Sequence, residues 1–183
     1  KAKGKTQPKI HQSRERRDCF GELIQIDGSH HDWFEGRRDK CCLLVFIDDA
    51  TSTLIYCRFE EAETTQGYFR SVKDSINTYG KPLAYYSDKF GVFRVNQECA
   101  DPNDTQFQRA MKELDIELIC ANSPQAKGKV ERANQTLQDR LVKELRLRGI
   151  STIEEANKFL PKFIEKYNKR FAKPPKSEQD AHR

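Results

Sequence analysis

The sequence predicts an α/β layer fold with a mixed sheet, and three observations carry that expectation. Three strand-like apolar runs follow one another with only short turns between them. Two further short apolar runs then alternate with segments of helical period, as βα units do. The chain closes on two long amphipathic segments that can cover a sheet. The first strand is expected at residues 22–30. Cys41 to Asp48 (CCLLVFID) is almost continuously apolar, and Ser52 to Glu61 (STLIYCRFEE) is rich in β-branched and aromatic residues. Gly36 and the stretch Asp48-Asp49-Ala50-Thr51 supply the turns of an antiparallel meander. Thr64-Thr65 caps a helix to about Tyr79, with Tyr68, Phe69, Val72, Ile76 and Tyr79 at helical spacing and Gly80 and Pro82 as its stop. A short strand at 83–87, a polar stretch at 88–104, a helix near 105–115 and a strand from Ile116 to Cys120 follow. Beyond a loop from Ala121 to Gly128, one helix runs to about Arg148 with Val130, Leu137, Leu141 and Leu145 on one face. Another spans about Thr152 to Arg170, before Pro174-Pro175.

With 183 residues, 36% of them apolar and 33% charged, the chain suits a single globular core. No apolar run reaches membrane-spanning length and no signal-peptide pattern occurs, so the expected setting is a reducing cytoplasm with no membrane partner. Residues 1–18 read as a basic arm or linker, cut from a longer protein because no Met begins it; residues 19–175 read as the core and 176–183 as a tail. The net charge of +5 is divided unevenly. Residues 19–122 carry eleven Lys/Arg against eighteen Asp/Glu, whereas residues 123–150 carry seven against three. An acidic half followed by a basic one suggests carboxylates facing a phosphate-binding surface, although solvated charged helices would give the same count. The six cysteines form no C-x2-C pair, and His30, His31, Cys41 and Cys42 lack a structural zinc spacing. Buried, reduced thiols are the expectation for them.

Three acidic residues stand out. Asp27 interrupts the apolar run Leu23-Ile24-Gln25-Ile26, where an ionised carboxylate is costly unless a cation or donor compensates it. Asp88 closes the strand-like Leu83-Ala84-Tyr85-Tyr86-Ser87, at the kind of strand end where α/β folds place ligands. Glu131 follows Gly128 in the first turn of a helix with basic neighbours. Taken singly, each has an ordinary alternative as a turn former or helix-terminal charge. Together they are a candidate set of hard oxygen ligands beside phosphate-binding groups. Asp48 and Asp49 compete for that role but fit a hairpin turn better. Lys127, Lys129 and Arg132 suit a DNA backbone, and Asn134, Gln135 and Gln138 could reach sugars or bases; Glu131, Gln135 and Gln138 share a helix face by spacing.

The segment from Thr105 to Leu137, and within it the run Ser123-Pro124-Gln125-Ala126-Lys127-Gly128-Lys129-Val130-Glu131-Arg132, resembles the catalytic core of the DDE transposases of bacterial insertion sequences and of the retroviral integrases. Asp27-Gly28 and Ser87-Asp88 occur upstream in the family's order, and the resemblance covers about residues 20–175. It implies a ribonuclease-H-like fold: a five-stranded mixed sheet, its first three strands antiparallel, flanked by helices. It also implies that Asp27, Asp88 and Glu131 form the triad holding two Mg2+ or Mn2+ ions. DNA would be met by Ser123, Gln125, Lys127, Lys129, Arg132, Gln135 and Gln138. The implied activity is cleavage of element ends and their joining to target DNA, by a homo-oligomer without a small-molecule cofactor. A metal-dependent nuclease of the same fold and an inactive DNA-binding relic are the rival readings. The sequence departs from the family pattern in Lys89-Phe90-Gly91 after Asp88, in 42 residues between Asp88 and Glu131 with an apparent insertion near 94–104, and in Gln138 where Lys or Arg is common.

Overall fold

The apolar run at Cys41–Asp48 locates the interior of the sheet, because all eight of its residues are buried and both of its faces must therefore be covered. The computed structural model describes residues 15–87, 105–120 and 128–183. Its strands are β1 (Leu23–His31), β2 (Cys41–Asp48), β3 (Leu54–Glu60), β4 (Ala84–Ser87) and β5 (Glu117–Cys120), and its helices are α1 (Thr65–Tyr79), α2 (Gln106–Glu113), α3 (Gly128–Leu147) and α4 (Ile153–Phe171). The five strands form one sheet in the order β3-β2-β1-β4-β5. The first three are antiparallel neighbours, while β4 pairs parallel to β1 and β5 parallel to β4. This is the expected mixed sheet, and it leaves β1 in the middle.

Alternation along the strands divides the core in two. Leu43, Val45, Ile47, Leu54, Cys57 and Phe59 pack with Val130, Leu137, Leu141 and Leu145 of α3 and with Leu160, Phe163 and Tyr167 of α4. Ile24, Ile26, Cys42, Leu44 and Phe46 pack on the other side with Tyr68 and Val72 of α1 and Phe107 and Met111 of α2. Among the described cysteines none is bridged, and Cys41, Cys42 and Cys57 are buried. Burial pushes the Cys41 thiol up to about 11 and the Cys57 thiol up to about 12, so both stay protonated at neutral pH.

Helix ends follow the sequence signals. Thr64 caps α1 by accepting from the Gly67 amide, and Gly80, at φ 95°, ends the helix with its amide on the Ile76 carbonyl. Thr105 and Gln108 form a reciprocal capping box on α2, and Thr152 caps α4. The C-terminal segment lies against the core. Ala181 N donates to Phe20 O at 2.8 Å, and Lys81 and Arg183 exchange backbone bonds of 2.8 and 2.9 Å. The His182 ring occupies the space beside Gly21, where a Cβ would meet Nδ1 at 2.3 Å and φ is already +79°.

The outer edge of β3 is closed by helix side chains. Phe59 N donates to Asn157 Oδ1 at 2.7 Å and Phe59 O accepts from Asn157 Nδ2 at 3.0 Å; Leu54 makes the same reciprocal pair with Asn168, at 2.8 and 2.9 Å. Eleven helical residues rise about 16.5 Å, and five strand residues also extend about 16.5 Å. The two asparagines thus match the spacing of the two strand residues and blunt an edge that would otherwise pair with another chain. Asn157→Ala and Asn168→Ala should each lower stability by about 1–2 kcal/mol, read from urea midpoints. Unchanged midpoints would show that the edge does not depend on these amides.

Candidate active site

A polar ladder crosses the interface between β1 and α3. Residues 25, 27 and 29 point to the same face of the strand, and each meets α3 one turn further on. The Gln25 Oε1 accepts from the Val130 amide at 3.2 Å, Asp27 Oδ2 accepts from Asn134 Nδ2 at 3.0 Å, and Ser29 Oγ accepts from Gln138 Nε2 at 3.0 Å. Two strand residues advance about 6.6 Å and four helical residues about 6 Å, so the rungs stay in step. Asp27 therefore sits half-buried at the centre of the sheet, with its carboxylate oriented by a side-chain amide.

The lower rung anchors the start of α3. Gln25 is only 1% exposed, and its Nε2 also donates to Asp49 Oδ1 at 2.8 Å. One amide thus satisfies a first-turn helix N–H and a buried carboxylate together. Lys129 adds a second tie, its ammonium bonding the Asp49 carbonyl and lying 4.0 Å from Asp49 Oδ1. The neighbouring Asp48 accepts from Thr51 N and Oγ1, both at 2.7 Å, and from Gly21 N at 3.0 Å. Burial raises the Asp48 pKa while those donors oppose the rise. Asp48 and Asp49 hence build the β2–β3 turn and its contacts, as the turn reading expects. Gln25 and Asn134 were not assigned these supporting roles from sequence. The isolated polar Gln25 within Leu-Ile-Gln-Ile was the available signal, since a glutamine at a core-facing position needs partners.

Glu131 lies exposed in the first turn of α3, three residues before Asn134 and so on a neighbouring part of the same helix surface. Arg132 and Gln135 are also exposed, with Arg132 Nε donating to the Gly128 carbonyl at 3.2 Å. Lys129 and Gln138 are instead held within the protein by Asp49 and Ser29. Asp88, Ser123, Gln125 and Lys127 lie outside the described residues, as does the stretch 94–104. Strand β4, parallel to β1 and paired Gln25 to Tyr86, ends at Ser87, the residue before Asp88. The amide of Asn134 offers a further oxygen. It is 9% exposed, and its Oδ1 is buried with no hydrogen-bond partner among the described residues.

The chain is similar to known transposases and integrase cores. Residues 112–171 match the family model described as integrase core domain. The chain is 53% identical over 176 residues to the putative transposase y4bF of Sinorhizobium fredii, covering 95% of this chain and 38% of that protein. It is 40% identical over 172 residues to the transposase for insertion sequence IS1202 of Streptococcus pneumoniae, covering 92% of this chain and 37% of that one. The chain thus spans under two-fifths of the length of these relatives. Among solved structures, the HTLV-2 integrase catalytic core domain in complex with magnesium, in its dimeric form, aligns with TM-score 0.64 and 21% identity over 91% of this chain and all of that one. The fold is accordingly the ribonuclease-H-like fold of integrase catalytic cores.

Gln25→Leu would leave the Val130 amide and Asp49 without this partner. It should cost about 1–3 kcal/mol and speed amide exchange across the first turn of α3. Exchange at wild-type rates there would mean that Gln25 does not anchor the helix.

Proposed function

We propose that this chain, an integrase core domain of the insertion-sequence transposase family, cleaves DNA at element ends and joins those ends to target DNA through Asp27, Asp88 and Glu131. The observation that most supports the reading is the ladder between β1 and α3, which fixes Asp27 against Asn134, one turn from Glu131. Strand β4 pairs parallel to β1 and ends at Ser87, and in our reading Asp88, the next residue in the chain, completes the triad.

A hard divalent cation fits the donors. All three carboxylates offer oxygen, and the unpartnered Asn134 Oδ1 stands on the amide that already touches Asp27. Magnesium or manganese held by Asp27, Asp88 and Glu131, two ions in the active complex, would activate a water or a DNA 3′-hydroxyl and stabilise the leaving oxygen. Asn134 keeps the Asp27 carboxylate in one orientation, which lowers the reorganisation needed when ligands are engaged. Gln25 and Lys129 fix the first turn of α3, and with it the backbone that carries Glu131.

DNA is the proposed partner, with bacterial cytoplasm as the setting. Arg132 and Gln135 are exposed near Glu131 on α3, and in this reading Arg132 meets the DNA backbone while Gln135 reaches sugars or bases. Ser123, Gln125 and Lys127 belong to the same contact surface in this reading. Lys129 and Gln138 shape that surface from within, through Asp49 and Ser29. Pairing two element ends calls for a homo-oligomer, which we include in the proposal. No described helix is long and apolar enough to cross a membrane.

Asp27→Asn, Asp88→Asn and Glu131→Gln should each reduce both strand cleavage and strand transfer by at least about 10³-fold, with circular dichroism and melting unchanged. The assay uses paired element-end oligonucleotides and a target plasmid. Cleavage without any joining would favour the metal-dependent nuclease, and an active single variant would remove that residue from the triad.

A further inference from the structure

Across the sheet from Asp27, three other side chains converge. The antiparallel register pairs His30 of β1 directly with Cys42 of β2, so both project from one face, the face that packs on α1. Glu63, in the link between β3 and α1, lies over Gly28. A Cβ at Gly28 would come within 2.5 Å of its Cδ and 2.6 Å of its Oε1, so a larger residue there would push this carboxylate out of its present place. The His30 Nε2 stands 3.8 Å from Glu63 Oε2, and the donor atoms of His30, Cys42 and Glu63 all lie within 4.8 Å of one another. Tyr68 OH donates to Glu63 Oε1 at 2.5 Å and orients it.

We propose that His30, Cys42 and Glu63 form a second cation site, suited to zinc and separate from the oxygen ligands of the triad. Nitrogen, sulfur and oxygen from three residues are a zinc-type donor set, whereas magnesium takes oxygen throughout. Ligand atoms around a tetrahedral zinc stand roughly 3.3–3.8 Å apart, so the trio needs only a small contraction. His30 can supply it, because its side chain is 57% exposed, whereas Cys42 is buried and Glu63 is held by Tyr68. Solvent on the His30 side leaves the fourth position to water. Binding releases the Cys42 thiol proton to solvent as the sulfur joins the metal. The ion would tie the β3–α1 link to the end of β1, three residues beyond Asp27. That bond would stabilise the folded chain by linkage. Neither this site nor the transposase reading depends on the other. The sequence spacing had argued against zinc here, and the sheet register supplies what spacing along the chain could not.

Cobalt and zinc, each added alone to the full chain, test the proposal. One equivalent of Co2+ should give a thiolate-to-metal charge-transfer band, and Zn2+ should raise the melting temperature. Cys42→Ser should abolish the band. His30→Gln, a change at an exposed ring, should leave metal-free melting unchanged and weaken metal affinity at least tenfold. Asp27→Asn should keep the band. No band in the wild type, a band surviving Cys42→Ser, unchanged affinity in His30→Gln, or loss of the band with Asp27→Asn would each overturn the assignment.

Discussion

The match in pitch between β1 and α3 is the constraint on which the rest of this molecule depends. A strand that advances two residues for every four of the helix can bond it at successive rungs, and the three rungs here are all polar. Apolar packing alone would leave the helix able to slide along the sheet, since burial is proportional to area and has little direction. Hydrogen bonds are directional, and an unmet one in a buried position is costly. The ladder therefore fixes both the height and the rotation of α3. Asp27 and the backbone of Glu131 inherit their relative position from it.

That arrangement accounts for a carboxylate in the middle strand of a buried sheet. Asp27 would be a liability without compensation, and Asn134 supplies the donor seen in the structure. The second face of β1 is arranged differently. Gly28 leaves room for Glu63, and His30 and Cys42 stand side by side. β1 thus turns Gln25, Asp27 and Ser29 toward α3, while on the α1 face its His30 meets Cys42 of β2 and Glu63 of the β3–α1 link. Covering elements on both faces keep these apart, while the asparagines of α4 protect the sheet's free edge at β3.

Most elements were legible in the sequence because their periods are unambiguous. The predicted strand at 22–30 is found at Leu23–His31, and the apolar run at Cys41–Asp48 is found unchanged. The third strand was expected from Ser52, but Ser52 has φ 59° and belongs to the turn, so β3 begins at Leu54. The leucine face of α3 and the cap at Thr64 also follow from local chemistry. What the sequence did not reveal is register. Period two tells which residues share a face, yet not which neighbour they meet, so the pairing of His30 with Cys42 stayed hidden behind their spacing along the chain. Gln25, Asn134, Asn157 and Asn168 were equally hard to assign, because a polar side chain gives no hint of its partner until the layers are stacked.

The most direct measurement is a crystal of the chain soaked in Mn2+, with the ion located by anomalous diffraction. The account predicts density on the α3 face of the sheet, touching Asp27 and in reach of Glu131. Density only on the α1 face, or Asp27 and Glu131 too far apart to share an ion, would contradict it.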